Sequence, residues 1–210
     1  MSVEHVEFLV EEPSMEAALR LLVPKMVGEL SFAVHAHQGK VDLLDRLLER
    51  LRGYAYWIPA TWRIIVVVDR DDDECEELKA RLEKMAADAE LVTRSVAKKK
   101  AYVVVNRLAI EELEAWYFGD WEAVRAAYPR APQTVPAKAK YRAPDAIKGG
   151  TWEAFERLLQ SAGYFAGGLP KIEAARTVAE QMLPSRNTSP SFKALRDVLV
   201  EMAALRCRPA

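Results

Sequence analysis

The stretch "RIIVVVDRDDDE", residues 63–74, decides the fold, because it joins an aliphatic run directly to an acidic one. Residues 64–68 are all β-branched, with no polar residue between them. A strand of this kind is typical of a parallel sheet that helices cover on both faces. We therefore expect residues 63–69 to form a central parallel strand, with the acidic residues at its carboxyl end.

The segments on either side of this strand alternate between strand-like and helix-like patterns. The predicted strands and helices are, in chain order, strand 3–10, helix 13–27, strand 31–37, helix 40–55, strand 63–69, helix 73–89, strand 101–107 and helix 110–118. Gly53 is expected to stop the second helix. The alternation predicts an α/β fold, a three-layer core with a mainly parallel sheet, followed by a helical C-terminal region.

The composition changes after residue 120. Residues 128–150 carry four prolines and several basic residues, which predicts an extended connection over the surface. Three helical patterns follow, and the last begins with Ser189 as N-cap and Pro190 at the first helical position. The expected organisation is a core at 1–120, a connection at 121–150 and a helical subdomain, packed on the core, at 151–210.

Composition and charge restrict the class of protein. Half of the residues are hydrophobic and 29% are charged, as in ordinary globular proteins. The longest wholly aliphatic stretch, residues 64–68, is far too short to span a bilayer, and the N-terminus lacks a secretory pattern, so we expect a cytoplasmic protein without a membrane partner. Cys75 and Cys207 are expected to be free thiols. The net charge of −1 predicts no strong general attraction to nucleic acid.

Carboxylates follow two of the predicted parallel strands. Asp69 and Asp71 end the strand at 63–69, while Glu11 directly follows the first strand and Glu16 lies one turn into the next helix. Helix capping accounts for part of the acidic run. Helix capping does not explain Asp69 and Asp71. Two carboxylates about 5 Å apart repel each other by roughly 3 kcal/mol. Since ligands of open α/β sheets bind at the carboxyl ends of the strands, these residues predict a site for Mg²⁺ or Mn²⁺.

The stretches "LVEEPSMEAAL" and "VVVDRDDDE" resemble the TOPRIM-like core shared by topoisomerases, primases and overcoming-lysogenization-defect nucleases, which have a glutamate after the first strand and Asp-x-Asp after a later one. The chain is more closely similar to bacterial domain-of-unknown-function family 4276 over nearly its whole length. The segments "HQGKVDLL", "VNRLAIEELEAWYFGD", "AAYPR", "GYFAGGLPKIEAAR" and "RNTSPSFKAL" carry this similarity. Such proteins resemble nuclease partners of neighbouring ATPases in phage-defence loci.

The resemblance implies roles for particular residues. Glu11 would be the general base or first metal ligand, with Asp69 and Asp71 as paired metal carboxylates. An acidic pair after the fourth strand would correspond to Glu112 and Glu114. Lys171 would be the late lysine that stabilises transition-state charge.

The chain departs from the superfamily pattern at two positions. Glu12 stands where the superfamily usually has glycine. Met15 stands where a second acidic residue is expected, so that either Glu16 substitutes for it or one of two metal positions is missing.

Three further sets of residues have a plain interpretation beside a functional one. His35 and His37 share a face of the second strand, as a zinc pair would, but no further ligands stand at suitable spacing. Lys40 follows the same strand and would either contact a substrate phosphate or remain solvated. Lysines 98–100 would either flank a nucleic-acid path or form ordinary solvated surface.

The sequence therefore supports two hypotheses. The first is a metal-dependent phosphodiester hydrolase, a nuclease whose partners are nucleic acid and a neighbouring AAA/ABC-type ATPase in phage defence. The second is a TOPRIM-like module without catalysis that binds a nucleotide or a partner ATPase. A monomer and a homo-oligomer both remain open.

Overall fold

The computed structural model describes residues 2–97 and 101–206 and contains one parallel sheet. Its strands are β1 His5–Val10, β2 Ser31–Ala36, β3 Trp62–Asp69 and β4 Val104–Ala109. The strand order is β2-β1-β3-β4, and every neighbouring pair is parallel. The prediction of an α/β fold with a parallel sheet is confirmed.

Helices connect the strands and continue beyond them. They are α1 Pro13–Val27, α2 Lys40–Trp57, α3 Cys75–Asp88, α4 Arg94–Ala97, α5 Glu114–Gly119, α6 Trp121–Ala127, α7 Thr151–Ser161, α8 Lys171–Gln181 and α9 Pro190–Arg206. Across the described ranges 2–97 and 101–206, none of these helices combines the length and the apolar character that a membrane crossing requires.

The sheet separates two hydrophobic clusters. One cluster joins Phe8 and Ile65 to α1 and to the helices from α5 onward. The other joins Leu9 and Val66 to α2 and α3. Because neighbouring residues of a strand face opposite sides, the unbroken aliphatic run of β3 fills both clusters. The helical C-terminal region therefore covers one face of the sheet, and α2 with α3 covers the other.

The prediction that Gly53 stops the second helix is wrong, because α2 continues to Trp57. A glycine inside a helix costs only about 1 kcal/mol relative to alanine. Tyr54, buried in the next position, donates a hydrogen bond of 3.1 Å to Glu7 and packs against Trp57 with ring centroids 5.3 Å apart. These tertiary contacts hold the last turn.

Two predicted elements begin later than the sequence indicates. The fourth strand, expected at 101–107, lies at Val104–Ala109, because it pairs with β3 as far as Asp69 opposite Ala109. The following helix, expected from residue 110, begins at Glu114. The intervening turn contains Glu111 in the left-handed region, with φ of 61°.

The C-terminal helix begins as predicted. The hydroxyl of Ser189 accepts a hydrogen bond of 3.2 Å from the N–H of Phe192, which is the N-cap interaction expected for this residue. Residues 121–150, where an extended connection is expected, contain α6 and three single-turn 3₁₀ helices whose buried side chains include Val135 and Tyr141. Lysines 98–100 and Cys207 lie outside the described residues.

Candidate metal centre at the carboxyl ends of the sheet

The strand order brings Glu11 and Asp69 together. β1 and β3 are hydrogen-bonded neighbours, and both end at the same edge of the sheet. The backbone N–H of Asp69 donates a hydrogen bond of 3.1 Å to Oε2 of Glu11. The acidic residues that follow the first and third strands therefore share one crevice.

Three carboxylates form the centre of this crevice. One oxygen from each of Glu11, Glu12 and Asp69 lies within 4.8 Å of the others. Glu11 and Asp69 are only 6% and 8% exposed. Two such charges at this separation repel by about 3 kcal/mol at an effective dielectric constant near 20. The folded chain therefore keeps three carboxyl groups close together, and little solvent reaches two of them, Glu11 and Asp69.

Asp69 has an oxygen without a hydrogen-bond partner. Its Oδ1 is buried, and nothing in the described part of the chain donates to it. An unsatisfied buried polar atom costs about 1–3 kcal/mol, so native proteins rarely retain one without a reason. A cation beside the three carboxylates would satisfy this oxygen and offset their repulsion.

Burial and mutual repulsion change the proton affinity of the cluster. Burial, together with the nearby charge of Asp71, raises the pKa of Glu11 from 4.5 to about 7. Burial, together with the charges of Glu11 and Glu114, raises the pKa of Asp69 well above its ordinary value. Without a cation, Glu11 is partly protonated near neutral pH, and Asp69 keeps its proton to a higher pH than an ordinary aspartate; a bound cation must displace these protons.

The first turn of α5 closes the buried side of the crevice. Glu114 is 4% exposed, and burial, reinforced by the charge of Glu112, raises its pKa to about 7. Tyr117 follows one turn later, and its hydroxyl is also buried without a partner among the described residues. Burial and the charges of Glu114 and Asp69 raise the pKa of Tyr117 well above its ordinary value. Two buried unpartnered oxygens, those of Tyr117 and Asp69, thus belong to one electrostatic environment.

Asp71 lies in the turn after β3, beside Lys40 rather than in the three-carboxylate cluster. Its φ of 49° is left-handed, and its N–H donates to the carbonyl of Glu111 at 2.9 Å. The Nζ of Lys40 lies 2.7 Å from Asp71 and 2.8 Å from Asp73, and it donates to the carbonyl of Arg70 at 3.0 Å. Burial alone would lower the pKa of Lys40, but its hydrogen bonds to Asp71 and Asp73 outweigh this effect and raise it. Lys40 therefore lies at the crevice with its charge paired.

Lys171 extends from the start of α8 to the opposite side of the crevice. Its Nζ lies 3.7 Å from Glu12 and 4.9 Å from the ring centroid of Trp152. Burial opposes the charge of Lys171, but the surrounding carboxylates, led by Glu12 and Glu114, raise its pKa. The late lysine implied by the resemblance is therefore beside the acidic cluster.

Glu112 and Glu16 have other partners. Glu112 accepts hydrogen bonds from the hydroxyl of Thr151 at 3.0 Å and from the N–H of Trp152 at 2.8 Å, at the start of α7. Glu16 pairs with Arg20 at 2.6 Å on the surface of α1. Met15 lies in the core at 2% exposure. Glu16 therefore does not take the place of the acidic residue that the superfamily pattern has where Met15 stands.

His35 and His37 bind different partners. The Nε2 of His35 lies 2.5 Å from Glu7, and the Nδ1–H of His37 donates to the carbonyl of Val10 at 3.0 Å. Within residues 2–97 and 101–206, the cluster of Glu11, Glu12 and Asp69 is the only group of three metal-ligating side chains close enough to share an ion.

Sequence reasoning treated Glu12 as a departure and did not consider Tyr117. The signal for Glu12 was the acidic doublet directly after a strand, since the chain turns sharply there and directs neighbouring side chains into one space. Nothing in the sequence distinguishes Tyr117 from the adjacent aromatic core residues.

Fold and site together define a class, an α/β protein with a four-stranded parallel sheet and a buried acidic crevice at its carboxyl edge. The family model described as Domain of unknown function (DUF4276) matches residues 10–200, and the chain therefore belongs to this family. The match includes both the crevice and the C-terminal helices. No curated protein and no solved structure matches the chain.

Proposed function

We propose that this protein is a Mg²⁺- or Mn²⁺-dependent phosphodiester hydrolase, a nuclease of the TOPRIM-like type. One observation carries the proposal: Glu11, Glu12 and Asp69 converge within 4.8 Å, and the buried Oδ1 of Asp69 has no partner among the described residues. Carboxylate oxygens are the ligands that Mg²⁺ and Mn²⁺ prefer.

The three carboxylates would hold the ion. When bound, a divalent ion of this kind lowers the pKa of a water molecule and offsets charge on a phosphate. The acidic crevice repels a polyanion until its own charge is neutralised. Proton retention by Glu11 and Glu114 near pH 7 limits that repulsion in the metal-free protein.

Two lysines support a phosphate-binding role for the crevice. Lys171 lies 3.7 Å from Glu12 and would contact a phosphate oxygen next to the metal ligands. Lys40 would act as a positioning residue, because its bonds to Asp71 and to the carbonyl of Arg70 hold the turn after β3. We therefore propose a catalytic function for Glu11, Asp69 and Lys171. Asp71 is not one of the three carboxylates that would hold the ion.

The strand order supports the TOPRIM-like relationship. The glutamate that follows the first strand and the Asp-x-Asp motif that follows the third stand at the ends of adjacent strands. The buried Met15 and the pairing of Glu16 with Arg20 favour a single metal ion over two. Following what the TOPRIM-like resemblance implies, we propose nucleic acid as the substrate and a neighbouring AAA/ABC-type ATPase as the partner in phage defence. We also propose a cytoplasmic location.

Cleavage of plasmid and single-stranded DNA or RNA in Mn²⁺ tests this function, with the protein alone and together with the partner ATPase. We expect Asp69→Asn to abolish cleavage. Glu16→Gln is the matched control, because it removes a carboxylate that lies outside the cluster, and it should leave cleavage intact. Activity that persists in Asp69→Asn would assign the cleavage to another site or to a contaminant.

The second candidate is a non-catalytic module that binds a nucleotide or the partner ATPase. The pairing of Asp71 with Lys40 at 2.7 Å favours it, because this arrangement neutralises an Asp-x-Asp carboxylate that a metal-dependent enzyme would use. Absence of cleavage in every combination, with Mn²⁺ binding retained, would support this module over the hydrolase.

A further inference from the structure

β2 forms an open edge of the sheet. Within residues 2–97 and 101–206 it pairs only with β1, and the N–H of His37, just beyond its end, donates to the carbonyl of Val10 at 3.0 Å. Because backbone groups alternate in direction along a parallel strand, odd-numbered residues of β2 face β1. The N–H and C=O groups of Phe32, Val34 and Ala36 therefore point away from the sheet. Among the described residues, no hydrogen bond reaches them.

Val34, the outward-facing residue at the middle of the strand, leaves little surface to water. Val34 as a whole is only 5% exposed. Backbone N–H and C=O groups in folded proteins almost always find a partner, and a group that is neither paired nor well solvated costs free energy. The edge of β2 therefore favours addition of another strand.

The two edges of the sheet differ in protection. On β4, the N–H of Val104 donates to the carbonyl of Val92 at 3.2 Å, and the guanidinium of Arg107 donates to the carbonyl of Asn106 at 3.1 Å. β2, with the sequence "SFAVHA", contains no lysine, arginine, acidic residue, proline or glycine. Natural proteins use such residues to prevent unwanted pairing at exposed edges. Their absence from β2 marks an edge that is kept available.

We propose that β2 is a dimerisation edge at which a second copy of this chain adds its own β2 around a twofold axis. Sheet continuation requires an open edge on each copy. Because β4 is partly closed, the pairing is β2 with β2 and therefore isologous. Twofold symmetry makes the two strands antiparallel, and a strand without acidic or basic residues other than His35 carries little charge to repel its copy.

The alternation of the backbone fixes the register. The outward residues must form the hydrogen-bonded pairs of the antiparallel ladder. Val34 then lies on the twofold axis opposite its own copy, and Phe32 lies opposite Ala36 of the second copy. This register satisfies the outward N–H and C=O groups of all three residues. In the antiparallel dimer the carboxyl ends of the strands of the two copies point in opposite directions. The two acidic crevices are therefore far apart, and each copy retains its own candidate metal centre.

Sedimentation and light scattering of the full chain give the first test. We expect twice the mass of one chain for the wild type and the mass of one chain for Ala36→Lys, which places a charge opposite Phe32 of the second copy. Val200→Lys is the control, because it adds a lysine at an exposed position of α9, and it should remain a dimer. Circular dichroism establishes that the variants are folded. A wild type that is monomeric at high concentration would overturn the proposal.

Crosslinking tests the register even if Ala36→Lys fails to fold. In a Cys75→Ser, Cys207→Ser background, Val34→Cys should form an intermolecular disulfide, because hydrogen-bonded antiparallel pairs have Cα atoms about 5.5 Å apart, within the range for a disulfide. Phe32→Cys should not, because its own copy would lie roughly 13 Å away. Equal crosslinking of the two variants, or none at Val34→Cys, would refute this pairing.

Discussion

Glu11→Gln should stabilise the metal-free protein at neutral and alkaline pH. The folded-state pKa of Glu11 is about 7, against 4.5 in the unfolded chain. Its contribution to stability is therefore greatest below pH 4.5, declines as the pH rises from about 4.5 to about 7, and is constant above that. A difference of about 2.5 in pKa, at about 1.4 kcal/mol for each unit, corresponds to about 3.5 kcal/mol. The substituted glutamine has no carboxylate to ionise and retains an oxygen that can accept the N–H of Asp69.

Urea unfolding between pH 4 and pH 8.5 in the presence of a chelator measures this effect. Relative to the wild type, Glu11→Gln should gain about 3.5 kcal/mol in free energy of unfolding across that range. Glu16→Gln, which alters a partly exposed carboxylate paired with Arg20, should follow the wild-type profile. Parallel pH profiles for Glu11→Gln and the wild type would refute the claim that burial and repulsion raise the pKa of Glu11.

Three other substitutions test separate parts of the structure. Asp120→Ala should lower the free energy of unfolding by about 2–3 kcal/mol in urea titrations, because the buried Asp120 carboxylate accepts hydrogen bonds from Arg186 at 2.6 Å and from the N–H of Leu183 at 2.9 Å. A loss below about 1 kcal/mol would contradict this. Gly119→Ala should lower the melting temperature in thermal scans, since a Cβ there would clash with the amide oxygen of Asn187 and lie 2.9 Å from the backbone nitrogen of Ser189. An unchanged melting temperature would contradict this. Lys171→Gln should reduce cleavage at least tenfold, since the proposed contact of Lys171 is with phosphate. The Mn²⁺ affinity measured by calorimetry should stay within about threefold of the wild-type value. Unchanged cleavage would exclude the phosphate contact.

The sequence predicts the fold well where hydrophobic pattern alone determines the structure. The aliphatic run of β3 could be buried only in a sheet covered on both faces, and the β-α alternation then required parallel strands. The predicted end of α2 at Gly53 and the predicted start of α5 are wrong, because tertiary contacts determine both boundaries. Tyr54 holds the last turn of α2, and the turn that contains Glu111 delays α5.

The sequence predicts which strand ends carry the acidic residues, but not which of these carboxylates converge in the structure. The ends of neighbouring parallel strands lie at one edge, and the structure brings Glu11 and Asp69 together there, as expected from the sequence. The sequence could not show that Lys40 pairs with Asp71 or that Glu12 turns inward, because both depend on how the two loops pack. Glu114 shows the same dependence, since its burial follows from the packing of α5 against the sheet.

Isothermal titration calorimetry with Mn²⁺ tests the central claim most directly, because it measures the ion at the three-carboxylate cluster without requiring a substrate. The wild type should bind one ion per chain, more tightly at pH 8 than at pH 6, since protons on Glu11 and Asp69 compete with the metal. Glu16→Gln should bind like the wild type, and Asp69→Asn should show no binding. Equal binding by Asp69→Asn and the wild type would contradict the account.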